Sequence, residues 1–192
     1  MRFQLVGPGR FLMGSPADEP RRFADETRRE VALTRPFYLA IFPTTQAQWR
    51  AVEGTNPSKN ARFKNAPVEN VSWYDCARFI EHINSEEYRL ELRGFLGDEW
   101  RYGLPTEAQW EYACRAGTET AYYFGNSATG REGNFEGTRG VCEVGKYPPN
   151  PWGFFDFCGN VCEWTADKYA DAEGSRVGEP IGVERVLRGG SW

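Results

Sequence analysis

The chain has 192 residues, 23 Lys and Arg against 27 Asp and Glu for a net charge of −4, one His, five Cys and an aromatic share of 15%. That length suits one domain with one sizeable core, the acidic balance offers no basic footprint for nucleic acid, and no apolar run approaches the roughly 18 residues of a membrane span. Residues 1–9 hold no long apolar stretch and no small-residue cleavage site, so the expected setting is soluble, without a signal peptide and cytoplasmic by default.

Gly and Pro, 21 and 12 residues, are too frequent for a helical bundle and too interleaved with aromatics for disorder, which predicts a loop-rich domain. Residues 1–15 read as a short strand pair turning at Gly7-Pro8-Gly9, with a further turn at Gly14-Ser15. A mixed-charge stretch, residues 18–30, leads into strand-like alternation at residues 31–33 and 37–41. Thr45 caps a helix over residues 46–52 that Gly54 ends. Ser72 opens a second helix with Asp75 in the capping-box position, and Trp73, Cys76, Ala77, Ile80 and Ile83 make its apolar face. Residues 86–100 mix charges with Leu and Phe and read as a surface excursion. Thr106 and Gln109 form the capping box of a third helix with Ala108, Tyr112, Ala113 and Ala116 turned inward and Gly117 at the C-cap. Residues 125–140 form a long ordered loop. The chain carries no internal repeat and no low-complexity segment.

One histidine excludes much chemistry. A His-Glu-x-x-His zinc helix needs two imidazoles and a three-His catalytic zinc site needs three, and neither can be built from His82 alone. Gly-x-Ser-x-Gly elbows, Walker phosphate loops and Gly-x-Gly-x-x-Gly turns are absent from the sequence. Cys142, Cys158 and Cys162 offer zinc-like spacing only for the last pair, and His82 would have to complete the site from a distant helix. They read as buried thiols instead, and Cys76 and Cys114 read as core; an odd count of five without a signal peptide favours reduced thiols. The aromatic groups Tyr122-Tyr123-Phe124, residues 147–152 and Phe154-Phe155 could line a peptide groove, but a loop-rich domain must also pack its core from aromatics, and that is the favoured reading.

Five segments in order then converge on one family: Phe11-Leu12-Met13-Gly14-Ser15, Pro67-Val68-Glu69-Asn70-Val71-Ser72-Trp73, Leu104-Pro105-Thr106-Glu107-Ala108-Gln109-Trp110-Glu111-Tyr112-Ala113, Gly159-Asn160-Val161-Cys162-Glu163-Trp164 and Arg185-Val186-Leu187-Arg188-Gly189-Gly190-Ser191-Trp192. Together they resemble the formylglycine-generating enzyme (sulfatase-modifying factor) family from about residue 3 to the last residue. The resemblance implies an α+β domain with the formylglycine-generating-enzyme fold, an elaborated C-type-lectin-like fold of low secondary-structure content.

It also implies structural calcium. One family site maps onto the side chains of Asp156 and Glu163 and the carbonyls of Gly159 and Val161, an oxygen set that water can complete for a hard cation. The alternative reading pairs Glu163 with an Arg and makes Asp156 a turn cap. A second family site lies in the preceding loop, for which this chain offers Asn134, Phe135 and Glu136, although the loop is shorter than in catalytic members and the ligands do not match one by one.

The activity implied is oxidation of a sulfatase cysteine, within a Cys-x-Pro-x-Arg-like segment, to an aldehyde by dioxygen, with Cu(I) held by two family cysteines because thiolates select that ion. Those cysteines follow the Gly-Gly-Ser turn in the family, whereas the 192 residues end at Trp192. The expectation is therefore one domain over residues 1–192, catalytically incomplete as given, either truncated at its C-terminus as a fragment of a longer protein or a shortened member without the copper chemistry, with Ser191 matching the serine beside the reacting centre and otherwise bonding within its turn. Two further departures are Cys162, where the family has an active-site Trp, and Gly103, where it has an Arg. In some members a cysteine on the Cys114 helix bonds a partner in the C-terminal segment. The expected partner is a protein or peptide substrate. The alternative class is a non-catalytic C-type-lectin-like binding or display module. A related sulfoxide synthase needs several histidines and is disfavoured by the single His82.

Overall fold

Frequent Gly and Pro keep the regular elements short. In a computed structural model these are β1 (Phe3–Val6), β2 (Gly9–Met13), β3 (Arg29–Leu33), β4 (Phe37–Ala40), α1 (Gln46–Glu53), α2 (Trp73–Ile83), α3 (Glu107–Arg115), β5 (Glu163–Lys168) and β6 (Arg185–Arg188). The structure describes residues 1–20, 22–23, 26–85, 88, 97, 99–135, 140–169 and 184–192. Most of the expected excursion at residues 86–100, and the end of the expected loop at residues 136–139, lie outside them.

The described strands form three antiparallel pairs, β1 with β4, β2 with β3, and β5 with β6. The hairpin expected within residues 1–15 is thus corrected: β1 and β2 belong to different sheets. Neither Gly7 nor Pro8 adopts the positive φ that a two-residue hairpin turn requires. Pro8 also holds its predecessor extended, so the Gly7-Pro8 step bridges two sheets. Gly9 then passes so close to α3 that a Cβ there would lie 2.1 Å from the Tyr112 hydroxyl oxygen.

All three helix starts stand where the capping residues put them. Thr45 with Gln48, Ser72 with Asp75, and Thr106 with Gln109 each form a complete capping box. Gly54 ends α1 in the left-handed region, but α3 ends one residue earlier than expected: Ala116 is the left-handed cap, and its N–H closes on the Tyr112 carbonyl. Tyr112, Ala113 and Ala116 are buried as expected, Ala108 is half-buried, and Trp110 and Glu111 join the interior.

Two cores result. Trp49 of α1 stacks on Phe79 of α2 with ring centroids 4.9 Å apart and planes 7° apart, and Ile83 completes that cluster. The larger core joins Val6, Phe37, Ile41, Trp110, Tyr112, Ala113, Phe154 and Phe157. β5 and β6 lie in segments that carry family motifs but no clear strand alternation, because β5 mixes charges with one Trp and β6 sets two apolar residues between two arginines. Two indoles dock β5 onto the α2 region: Trp73 Nε1 donates to the Thr165 carbonyl at 2.9 Å, and Trp164 Nε1 donates to the Val71 carbonyl at 3.1 Å. Arg185 of β6 lies over the Trp73 ring at 3.7 Å, a cation–π contact.

Candidate calcium and substrate site

The segment before β5 turns by left-handed residues at Asp156 (φ 59°), Gly159 (φ 91°) and Asn160 (φ 68°). Asp and Asn tolerate that region better than other residues with a Cβ. Gly159 is required by space as well, since a Cβ would meet the Asn134 carbonyl oxygen at 2.4 Å. Asn160, 1% exposed, clamps three loops: its N–H donates to the Asn134 carbonyl at 2.8 Å, its Oδ1 accepts from the Cys142 N–H at 3.1 Å and from Asn134 Nδ2 at 3.2 Å, and its Nδ2 donates to the Cys142 carbonyl at 3.3 Å.

These turns bring two carboxyl groups within electrostatic reach of each other. Buried Asp156 accepts the Gly145 N–H on Oδ2 at 2.8 Å. Burial raises its pKa, opposed by that N–H and by the Asn160 side chain. Glu163 accepts the Trp110 indole N–H on Oε2 at 3.0 Å. Burial pushes the Glu163 carboxyl up to about 7, the indole bond opposes this and the charge of Asp156 adds to it. Among the described residues neither carboxylate forms an ion pair, so the expected alternative of an Arg partner for Glu163 is not seen there.

The turn that carries Ser191 is bonded to this segment. Gly159 N–H donates to the Gly189 carbonyl at 2.8 Å, Trp192 N–H reaches the Asn160 carbonyl at 3.4 Å, and Glu163 stands opposite Arg188 in the β5–β6 ladder. Gly189 and Gly190 both have positive φ, which lets the chain turn directly after β6. Ser191 is exposed. Cys162 is exposed too, which corrects its reading as a buried thiol: the alternation entering β5 turns Glu163 inward and leaves its neighbour outside. Beside it lies a cavity of about 210 Å³ lined by Phe42, Phe155, Val161, Cys162, Glu163 and Trp164, together with α2 and Gly103.

The other candidates are dispersed. Asn134 acts as a loop clamp, donating from Nδ2 to the Gly140 carbonyl at 3.0 Å as well as to Asn160, while Glu136 lies outside the described residues. Phe135 meets the stacked rings of Tyr122 and Phe124. His82 of α2 is held by Glu53 of α1 at 2.8 Å. Among the described residues no three His, Cys, Asp or Glu side chains converge as a metal cluster. Of the aromatic groups, Phe154 is core as favoured, whereas Tyr123 and Phe124 line a shallow cleft with residues 148–151.

Sequence reasoning misses Glu111. It is 3% exposed and accepts from Arg115 Nε at 2.8 Å, from Arg188 Nη2 and, at 2.8 Å, from the Gly14 N–H. Arg115 in turn donates to the Gly14 carbonyl at 2.8 Å. One carboxylate therefore ties the end of β2, α3 and the strand leading to Ser191. Its signal is a charge set between Trp110 and Tyr112 on the inward face of a helix.

A profile of the Sulfatase-modifying factor enzyme 1-like domain matches residues 2–192. The chain belongs to this family. It is 29% identical over 185 residues to the formylglycine-generating enzyme of Bos taurus, a match covering 85% of this chain and 44% of that protein. It is 31% identical over 185 residues to the Bos taurus protein named inactive C-alpha-formylglycine-generating enzyme 2, covering 88% and 52%. The chain thus spans about half the length of these curated relatives. The structure of Treponema denticola variable protein 1 superposes with a TM-score of 0.77 at 24% identity, over 99% of this chain and 83% of that one. The architecture is that of the sulfatase-modifying factor family, a mixed helix and strand fold with small sheets and low secondary-structure content. Among the described residues no helix is long and apolar enough to cross a membrane.

Proposed function

We propose that this chain is a formylglycine-generating-enzyme-type domain that holds a cysteine-bearing segment of a protein substrate, of the sulfatase Cys-x-Pro-x-Arg kind, against the turn of Ser191. In this reading calcium is held by the carboxylates of Asp156 and Glu163 and the carbonyls of Gly159 and Val161. The observation that carries it is the bonding of the two loops, Gly159 N–H to the Gly189 carbonyl at 2.8 Å, so that a cation fixing residues 156–163 also fixes the turn that presents Ser191. The donor set suits the ion: all four ligands are oxygen, and two neighbouring carboxylates lacking an ion pair among the described residues gain most from a hard cation.

Cu(I) supplies the dioxygen chemistry when such a domain oxidises a cysteine. The cysteines of these 192 residues do not fit that role beside Ser191. Cys76 packs against the α1–α2 core, Cys114 packs against the larger core, and of the five only Cys162 is exposed. The side chains of this domain therefore bind and orient: the exposed Ser191 hydroxyl offers a hydrogen bond to the substrate, and the apolar cavity beside Cys162 receives a substrate side chain away from water.

Fluorescence anisotropy of a labelled Cys-x-Pro-x-Arg peptide tests this, followed by mass spectrometry after incubation with Cu(I) and oxygen. The expected result is saturable binding, weakened by a chelator and by Ser191→Ala, with no aldehyde formed. Aldehyde from the 192-residue chain would refute the assignment of binding without oxidation. Absence of saturable peptide binding would refute the substrate class and favour the second reading, a non-catalytic C-type-lectin-like binding module, which the likeness to a relative named inactive supports.

A further inference from the structure

Among the described residues, β4 pairs on one side only, with β1. Ile41 N–H donates to the Arg2 carbonyl at 3.0 Å, and the register continues with Gln4 opposite Leu39 and Val6 opposite Phe37. Bonded and non-bonded pairs alternate in an antiparallel ladder, so Phe37, Leu39 and Ile41 direct their backbone groups at β1, while those of Tyr38 and Ala40 point to the opposite edge. No described residue bonds them there. That edge opens on a cavity of about 570 Å³ lined by Phe37, Tyr38 and Leu39 together with Tyr102, Gly103 and Leu104. Successive strand residues put their side chains on alternate faces, so a cavity touching three in a row runs along the strand edge. Its far wall is fixed. Asn84 Oδ1 accepts the Tyr102 N–H at 3.0 Å, Asn84 Nδ2 donates to the Tyr102 carbonyl at 2.9 Å, and the Pro105 carbonyl accepts the Ala166 N–H at 2.9 Å. The ring contacts of Tyr38 with Trp100 at 5.3 Å and of Phe3 with Tyr102 at 5.8 Å hold this wall to the β1–β4 ribbon. Between the anchors stands Gly103, where a Cβ would meet no atom within 4 Å. The cavity is continuous with the one beside Cys162, since Phe3, Tyr38, Tyr102, Gly103 and Leu104 line both.

We propose that β4 takes an added strand: the substrate polypeptide flanking the cysteine-bearing segment lies extended in this cavity and bonds its backbone to the N–H and C=O groups of Tyr38 and Ala40. This rests on the peptide-substrate reading above, and the continuity of the two cavities is what names the occupant. The two outward-facing residues stand about 6.8 Å apart along the strand, the two-residue repeat of another extended chain and of no helix. Main-chain bonds of this kind supply affinity with little regard to sequence, while the aromatic walls receive alternate side chains. The substrate is therefore read in an extended state, and a segment locked in a helix is excluded.

The test is amide hydrogen exchange of the chain, read residue by residue by NMR, with synthetic peptides: Cys-Ala-Pro-Ala-Arg alone, the same core with Thr-Val-Thr-Val on both sides, that longer peptide with every flanking amide N-methylated, and Thr-Val-Thr-Val alone. The flanked peptide is expected to bind about tenfold tighter than the core and to slow exchange at Tyr38 and Ala40 about tenfold or more, while Leu5, on the far edge of β1, stays fast. The core alone and the N-methylated peptide should leave Tyr38 and Ala40 unchanged. Gly103→Trp, which fills the space beside the edge, should abolish the effect of the flanks. Unchanged exchange at Tyr38 and Ala40 with every peptide, equal protection by the N-methylated peptide, or full protection in Gly103→Trp would each overturn the added strand. Protection by Thr-Val-Thr-Val when the core fails to bind would support the strand and refute only the cysteine-segment reading.

Discussion

The Trp110 indole N–H donates to Oε2 of Glu163 at 3.0 Å, linking the centre of α3 to the first residue of β5. The bond gives a half-buried carboxylate one fixed donor but no positive charge, and its desolvation raises the pKa to about 7.

A pH dependence follows from that value. Glu163 takes up its proton near 4.3 in the unfolded chain and near 7 in the native one. The native state therefore binds more protons across that window, and stability contributed by Glu163 is fully present below about 4.3 and lost as pH rises towards 7, by roughly 3–4 kcal/mol in all. Thermal melts across this range in chelator are expected to show the decline, and millimolar calcium is expected to reverse it above neutrality. Melting temperatures indifferent to calcium at every pH would remove Glu163 and Asp156 as ligands.

Glu163→Gln separates charge from shape. The amide oxygen keeps the Trp110 bond while the buried charge disappears, so the chelated protein should gain about 1–3 kcal/mol at neutral pH and lose its response to calcium. Isothermal titration calorimetry with calcium and urea unfolding measure the two effects.

Glu111→Ala should cost about 3–5 kcal/mol, because it leaves Arg115 and Arg188 without their buried partner and orphans the Gly14 N–H. Chemical denaturation gives the number. A loss below about 1 kcal/mol would mean that solvent reaches the network freely.

Asn160→Ala is expected to lose about 2–4 kcal/mol by stripping partners from the Cys142 N–H and Asn134 Nδ2. Asn160→Gly permits the left-handed backbone and should lose nearly as much. Recovery of stability in the Gly variant would show that φ strain, rather than the side-chain bonds, sets the cost.

In the smaller core, Trp49→Ala removes the ring stacked on Phe79 and should destabilise by about 3–5 kcal/mol. The quantity to measure is the urea midpoint, with the slope unchanged.

Legibility follows distance along the chain. The capping boxes at Thr45, Ser72 and Thr106 are readable because donor and acceptor lie three residues apart. The first strand pair is not, because the partner of β1 is β4, more than thirty residues away, and nothing in residues 1–15 encodes it. The four proposed calcium ligands come from a motif carried by resemblance; that Asp156 and Glu163 feel each other depends on left-handed turns between them.

From the sequence alone come the positions of the three helix starts, the dominance of loops and the family, because each rests on short local patterns or on their order. Only the tertiary structure decides which strands pair, that Glu111 is buried against two arginines and that burial raises the Glu163 carboxyl to about 7. Those outcomes depend on loss of water and on neighbours brought from far along the chain, and neither is a property of any short stretch of residues.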